Sequence, residues 1–151
     1  MSNQRQDFRA AAPEAYAAVS AVERHIQSCG LEESLLELVK LRASQINHCA
    51  YCLDMHSRDA RRHGETEQRL DVLAAWQETP LYSPRERAAL AWTECLTAVA
   101  TDGAPDAAYQ PLEALFSPKE IVELTVLIGL INLWNRLAIG MRAQVPTAVA
   151  A

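Results

Sequence analysis

The stretch from Ser117 to Met141 constrains this 151-residue chain more than any other segment. Ser117-Pro118-Lys119-Glu120 has the form of a capping box, with Ser at the cap, Pro at the first helical position and Glu three residues after the cap. It predicts a helix running to about Met141. From Ile121 to Ile139 that helix is apolar nearly all round, with Glu123, Asn132, Asn135 and Arg136 as polar insertions. Such a helix has to be covered on most sides. A chain this short has little interior to spare, so part of the surface is expected to face another subunit. The polar insertions need partners, and hydrogen bonds across subunits are the expected ones. A membrane span is not expected. The longest uncharged apolar run, Leu124 to Asn135, has 12 residues, against the roughly 20 a span requires.

The remaining chain also reads as helix. Pro13 suits the first position of a helix reaching Ser28, with Tyr16, Val19, Val22 and Ile26 at helical spacing and Gly30 as its stop. A second helix is predicted from about Glu32 to Ile46, and a third from near Cys49 to His63, ended by Gly64. Arg58, Arg61 and Arg62 give the third the positive charge that favours a carboxyl-terminal turn. A shorter helix follows from about Thr66 to Trp76. Ser83-Pro84-Arg85-Glu86 repeats the capping box and opens a helix to about Ala100. Residues 106 to 115 suit a short helix, interrupted or bent near Pro111. No segment alternates with period two long enough to predict a strand.

The expectation is an all-α subunit of six or seven helices with short connections and a Cys-x-x-Cys pair at the start of one of them. One domain is expected over residues 1–151, with its core over about 8–142 and loose tails at 1–7 and 143–151. Aromatic residues are only 6% of the chain, so the core has to be aliphatic. The 14 Lys and Arg are outnumbered by 19 Asp and Glu, and no basic stripe is visible, so nucleic acid is not an expected partner. Met1 to Arg9 is polar and lacks the apolar stretch of a signal peptide, so a cytoplasmic location is expected. In that compartment the four cysteines point to redox or metal chemistry, not to a disulfide framework.

The segment that carries chemistry is Cys49-x-x-Cys52-x-x-x-His56. On a helix these residues share one stripe, at i, i+3 and i+7. A cysteine in the first turn feels the positive end of the helix, which lowers its pKa. An imidazole one turn beyond Cys52 can take its proton. The two sulfurs are close enough to bridge after a small adjustment, which suits a cycling disulfide. Two other readings stay open on spacing alone. Cys49, Cys52 and His56 could be three zinc ligands, with His48, His63 or Glu37 as the fourth. The cysteines could also be small buried hydrophobes. A thioredoxin motif fits poorly, because the segment before the pair, Glu37 to Ile46, reads as helix.

The run Glu37-Leu38-Val39-Lys40-Leu41-Arg42-Ala43-Ser44-Gln45-Ile46-Asn47-His48-Cys49-Ala50-Tyr51-Cys52-Leu53-Asp54-Met55-His56 resembles the core signature of the alkylhydroperoxidase AhpD-like, carboxymuconolactone decarboxylase superfamily. That signature is a Glu, eleven residues, then C-x-x-C-x-x-x-H, and Glu37, Cys49, Cys52 and His56 fall in register with it. Ser83 to Trp92, Ser117 to Leu124 and Asn132 to Arg136 are similar to the same group. The resemblance spans about residues 8 to 142 and is nearest to the short, single-motif members.

It implies an all-helical subunit that assembles as a trimer or hexamer and a thiol-dependent peroxidase acting on hydroperoxides. Cys52 matches the attacking cysteine, Cys49 the resolving one, and His56 and Glu37 a proton relay. A dithiol, protein or small molecule, is the implied reductant, and neither cofactor nor metal is called for. The decarboxylase branch generally lacks the cysteine pair, so Cys49 and Cys52 argue against lactone decarboxylation. Where the peroxidase branch carries a His before the second cysteine, this chain has Tyr51.

Helix-dipole reasoning alone favours Cys49 as the attacker, and proximity to His56 favours Cys52, which is the assignment adopted. Glu37 is expected to approach and orient His56 if the two helices pack antiparallel. A zinc-stabilised helical protein and a non-enzymatic thiol redox sensor are the rival functions. Non-catalytic places are expected for His48, at a cap or the surface, for Tyr51, at a helix–helix contact, and for His63, at a helix end. Cys29 and Cys95 are expected to be buried fillers.

Overall fold

The capping side chains of Asp7, Cys49, Thr66, Ser83 and Ser117 mark where their helices begin. The computed structural model describes residues 3–147, and among them it contains helices and no strand. The helices are α1 (Phe8–Ala11), α2 (Pro13–Gln27), α3 (Glu33–Ile46), α4 (Ala50–Arg62), α5 (Glu67–Val72), α6 (Pro84–Thr97), α7 (Val99–Asp102), α8 (Asp106–Leu115) and α9 (Pro118–Met141), with a 3₁₀ segment at Leu73–Glu78. Both Ser-Pro-x-Glu boxes close fully at the starts of α6 and α9: each Ser hydroxyl accepts from the Glu amide, and each Glu carboxylate accepts from the Ser amide.

The all-α class agrees with the sequence, while the number of pieces is larger for local reasons. Asp7 caps an extra turn, α1, by accepting from the amides of Arg9 and Ala10. The helix expected over 66–76 becomes α5 and the 3₁₀ segment, with a non-helical Ala75. The helix expected to reach Ala100 breaks at Ala98 into α6 and α7. Pro111 lies inside α8, which continues past it as helix. In the lead-in expected to be loose, Arg5 bonds the carbonyls of Met141 and Gly140, and Arg142 donates to Asn3. Residues 1–2 and 148–151 of the two expected tails lie outside the described residues.

The organisation turns on α3, whose three sides do different work. Leu35, Leu36 and Val39 join the main core with Trp92 of α6, Leu112 of α8 and Leu124, Leu127 and Ile128 of α9. Leu38 and Leu41 face a second cluster with Ala60, Leu73, Trp76 and Leu90. The third side is polar: Glu33, Glu37, Lys40 and Ser44 recur at i, i+4, i+7 and i+11, one stripe of a helix. Glu37, Lys40 and Ser44 are buried.

By length and apolar composition alone, α9 is able to cross a membrane. It is instead threaded through the bundle, with Leu124, Leu127, Ile128, Ile131 and Asn135 almost wholly buried and with α2, α3 and α6 packed on it. Asn132 and Asn135 find partners within the chain, where cross-subunit bonds were expected. The Asn47 side chain donates to both, at 2.9 Å each. Asn132 also donates to Thr97 and to the Ile128 carbonyl, and Asn135 to Ser44. Arg136 donates back to Asn132. These bonds pin the α3–α4 turn against α9. The Asn insertions satisfy that turn, which is why they sit on an otherwise apolar helix.

Candidate active site

Three residues, Asn47 to Cys49, reverse the chain between α3 and α4. His48 makes the turn in the left-handed region, at φ 56°, and is exposed, at the surface as expected. Cys49 then caps α4, its sulfur accepting from the Cys52 amide at 3.3 Å. Cys49 and Cys52 are joined as a disulfide and are 1% and 2% exposed. Together with Ala138 of α9 they form a small apolar cluster, on which Tyr51 packs.

The hairpin returns α4 antiparallel along α3, so the polar stripe of α3 meets the inner face of α4. Glu37 Oε2 lies 2.9 Å from His56 Nδ1. At the far end His63 Nδ1 pairs with Glu33 at 2.7 Å. All four residues singled out by the sequence, Glu37, Cys49, Cys52 and His56, therefore come together. When the carboxylate accepts from the Nδ1 proton, it orients the ring and leaves Nε2 as its basic nitrogen.

Glu37 does more than hold His56. Lys40 Nζ lies 3.4 Å from its other oxygen and 2.7 Å from Glu23 Oε1 on α2. Trp134 Nε1 donates to the second oxygen of Glu23 at 3.1 Å. The result is a ladder, Trp134–Glu23–Lys40–Glu37–His56, drawn from α9, α2, α3 and α4, with Lys40, Glu37 and His56 buried and Glu23 and Trp134 half-buried. Burial pushes the Glu37 carboxyl up, but the His56 hydrogen bond and the Lys40 charge outweigh it and hold the pKa below the ordinary carboxylate value. Burial pulls Lys40 down, and the two carboxylates outweigh that in turn, so it stays charged.

A pocket of about 520 Å³ opens over these groups. Cys52, His56 and Glu37 line it and Cys49 does not. Its wall is aromatic: Phe8, Tyr16 and Trp134 have ring centroids 5.8–6.5 Å apart. Tyr51, expected at a helix–helix contact, lines the pocket as well, and its hydroxyl accepts from Arg9 Nη2 at 3.2 Å. The reason is position: Tyr51 is the second residue of α4, on a first turn that borders the opening. Glu23, Lys40, Arg9 and Trp134 were not singled out by sequence reasoning. Only Lys40 left a readable signal there, as part of the polar stripe on α3. His63 closes α4 and also lines the pocket.

Cys29 and Cys95 are half-buried free thiols away from the pocket, less enclosed than expected. Burial, Asp102 and Glu94 push the Cys95 thiol up. Among the described residues, the side chains whose donor atoms converge as a metal site would require are Glu37, His56 and Asp59, within 4.8 Å of one another. Neither cysteine belongs to that group. The zinc reading needs both sulfurs as separate ligands, and here they are bonded to each other.

The chain is similar to known proteins over nearly its whole length. It is 39% identical over 139 residues to the uncharacterized protein YdfG of Bacillus subtilis, covering 92% of this chain and 95% of that one. It superposes on the crystal structure of ATU0492 from Agrobacterium tumefaciens with a TM-score of 0.94 and 47% identity, covering 97% of this chain and all of that one. ATU0492 is of unknown function and has been suggested to be the antioxidant defence protein AhpD. The apo debrominase Bmp8 shares the fold, with a TM-score of 0.81 over 89% of this chain and 73% of its own, at 20% identity. Residues 11–94, more than half of the chain, match the carboxymuconolactone decarboxylase family, and the chain belongs to this family, within the AhpD-like superfamily.

Proposed function

We propose that this protein is a thiol-dependent hydroperoxidase cycling through Cys49 and Cys52. The observation that carries the reading is the asymmetry of the pair. Cys52 lines the pocket together with His56, while Cys49, equally buried, is the helix cap and does not line it. The Cys52 thiol gives its proton to His56, whose ring Glu37 holds. The thiolate attacks the terminal oxygen of the hydroperoxide, the O–O bond breaks, and alcohol or water leaves after taking up a proton. Cys52 becomes a sulfenic acid. The Cys49 thiol displaces its hydroxyl as water and forms the disulfide. An external dithiol then reduces the disulfide and is itself oxidised to one.

The substrate class is a hydroperoxide and the co-substrate a dithiol protein or small dithiol. A cytoplasmic setting without nucleic acid or membrane partners belongs to the same proposal. So does assembly of the chain as a trimer or hexamer. Val122, Val126 and Leu133, exposed along one side of α9, support that assembly.

The test is peroxide consumption by the purified protein with a supplied dithiol. Turnover is expected, with a mass loss of two hydrogens confined to the peptide holding Cys49 and Cys52 when the dithiol is withheld. A disulfide that forms and is reduced without sustained turnover identifies the thiol sensor instead. Stoichiometric zinc in the reduced protein identifies the metal reading.

A further inference from the structure

The scheme above leaves one proton without a donor. His56 serves the sulfur, but the departing oxygen lies one bond further out, toward the pocket. An alkoxide is a poor leaving group unless it is protonated as it departs. Beside Cys52 on the pocket wall stands Tyr51, whose ring packs on the Cys49–Cys52–Ala138 cluster. Its hydroxyl oxygen accepts from Arg9 Nη2 at 3.2 Å and makes no other hydrogen bond among the described residues. An oxygen that accepts in this way keeps its own proton free for another acceptor.

Arg9 is suited to that task. It forms no ion pair with any carboxylate among the described residues. Its guanidinium lies 5.8 Å from the centre of the Phe8 ring and 5.5 Å from that of Tyr16, against the aromatic wall. The turn that carries it is fixed by the Asp7 cap. A cation held there stabilises the phenolate that remains once the proton has gone.

We propose that Tyr51 is the catalytic acid that protonates the departing oxygen, with Arg9 as its positioning residue. The step balances. The Cys52 thiolate forms the S–O bond as O–O breaks, and the leaving RO⁻ takes the Tyr51 proton to become ROH. The phenolate then recovers, through solvent, the proton that His56 had taken from Cys52. This rests on the hydroperoxidase reading and adds to it the group that drives the leaving oxygen out.

The experiment compares single-turnover oxidation of the reduced protein by tert-butyl hydroperoxide and by peracetic acid. Acetate departs without needing a proton, whereas tert-butoxide requires one. Tyr51→Phe is expected to slow the alkyl hydroperoxide about 100-fold and to leave the peracid almost unaffected. Arg9→Met is expected to slow the alkyl hydroperoxide about tenfold, with partial recovery in Arg9→Lys. Iodoacetamide alkylation of Cys52 should be unchanged in all three, since thiolate formation does not involve Tyr51. Equal slowing with both oxidants, or none with either, overturns the proposal and leaves the hydroperoxidase reading standing. A wild-type protein that neither oxidant oxidises at Cys52 overturns that reading itself. Arg9 is exposed, so its variants decide the question if Tyr51→Phe fails to fold.

Discussion

On its inner side α3 encloses Glu37 and Lys40, at 8% and 3% exposure, while α9 leaves Val122, Val126 and Leu133 at 63%, 38% and 40%. Each helix carries the residue type that its environment disfavours. Enclosing ions costs several kcal/mol apiece before pairing returns part of it. An apolar strip left in water offers nothing to an isolated subunit. The charges on α3 are matched within the chain, by Glu23, Lys40 and His56. The strip on α9 is left uncovered by the described residues. A closed network of this kind fits chemistry performed inside one subunit, and an open apolar strip fits contact with another.

The sharpest break falls on the closed side. Cys52→Ser should abolish peroxide consumption. Cys49→Ser should permit one oxidation and leave a sulfenic acid on Cys52 that dimedone traps. If the two variants exchange behaviour, the sulfur that caps α4 is the attacker and the one lining the pocket resolves. Next comes Glu37→Gln, which keeps the shape and removes the charge. Turnover is expected to fall by about 10²–10⁴, with Cys52 alkylation requiring higher pH. Unchanged turnover and unchanged alkylation would reduce Glu37 to a structural role.

Lys40→Met tests whether the ladder holds the fold as well as the relay. The buried Glu37 and the half-buried Glu23 lose their shared cation, at a cost of about 3–5 kcal/mol, read from urea unfolding. The pH dependence has a definite sign. The Glu37 pKa is held below its ordinary 4.5, so its contribution is fully present above that value. It is lost as pH falls through the lower folded value. Glu37→Gln should therefore lack part of the acid destabilisation seen in the wild type. Lys40 is raised above its ordinary 10.5, so its contribution is present below that value and disappears as pH rises through the folded one. Lys40→Met should lack that alkaline loss. A wild-type curve as flat as those of both variants would mean that the ladder contributes nothing to stability.

What the sequence made legible divides along the same line. Helix starts at Pro13, Pro84 and Pro118 were readable because caps and first-turn prolines act within four residues. Cys49, Cys52 and His56 were readable because they share one helical stripe, whereas Glu37 stood out only through the resemblance to the family signature, and the α3–α4 hairpin is what carries it to His56. The link from Lys40 to Glu23, and that from Arg9 to Tyr51, joins helices that meet only after the bundle has packed. Asn132 and Asn135 were correctly seen to need partners. The partner is Asn47, at a turn 85 and 88 residues earlier in the chain, and no local pattern points to it. The polar stripe on α3 was a long-range clue in plain view, since polar residues in line along a helix whose other sides are apolar need partners where that stripe is covered.

The smallest effect concerns Gly129, on the outer side of α9. Glycine inside a helix is less favourable than alanine by about 0.8–1.0 kcal/mol, so its presence needs a cause. None lies among the described residues, because a Cβ at this position meets no atom of theirs within 4 Å and the backbone is ordinary helix. Gly129 lies between Val126 and Leu133, at i+3 and i−4 from them, on the strip the chain leaves open. There a missing Cβ lets another backbone come close. If copies of this chain meet on the strip, Gly129→Ala has two opposed consequences. The dissociated chain gains up to about 1 kcal/mol from helix propensity, and the assembly loosens because the added methyl intrudes on the contact. The expected outcome is a higher unfolding midpoint at dilutions where the protein is monomeric. At micromolar concentration, light scattering should show a shift toward smaller species. Leu133→Asp should move the assembly in the same direction without the gain in monomer stability, since it places a charge in the strip and adds no helix propensity. Stabilisation with no change in assembled size would place the subunit contact elsewhere and leave the strip on α9 as bare surface.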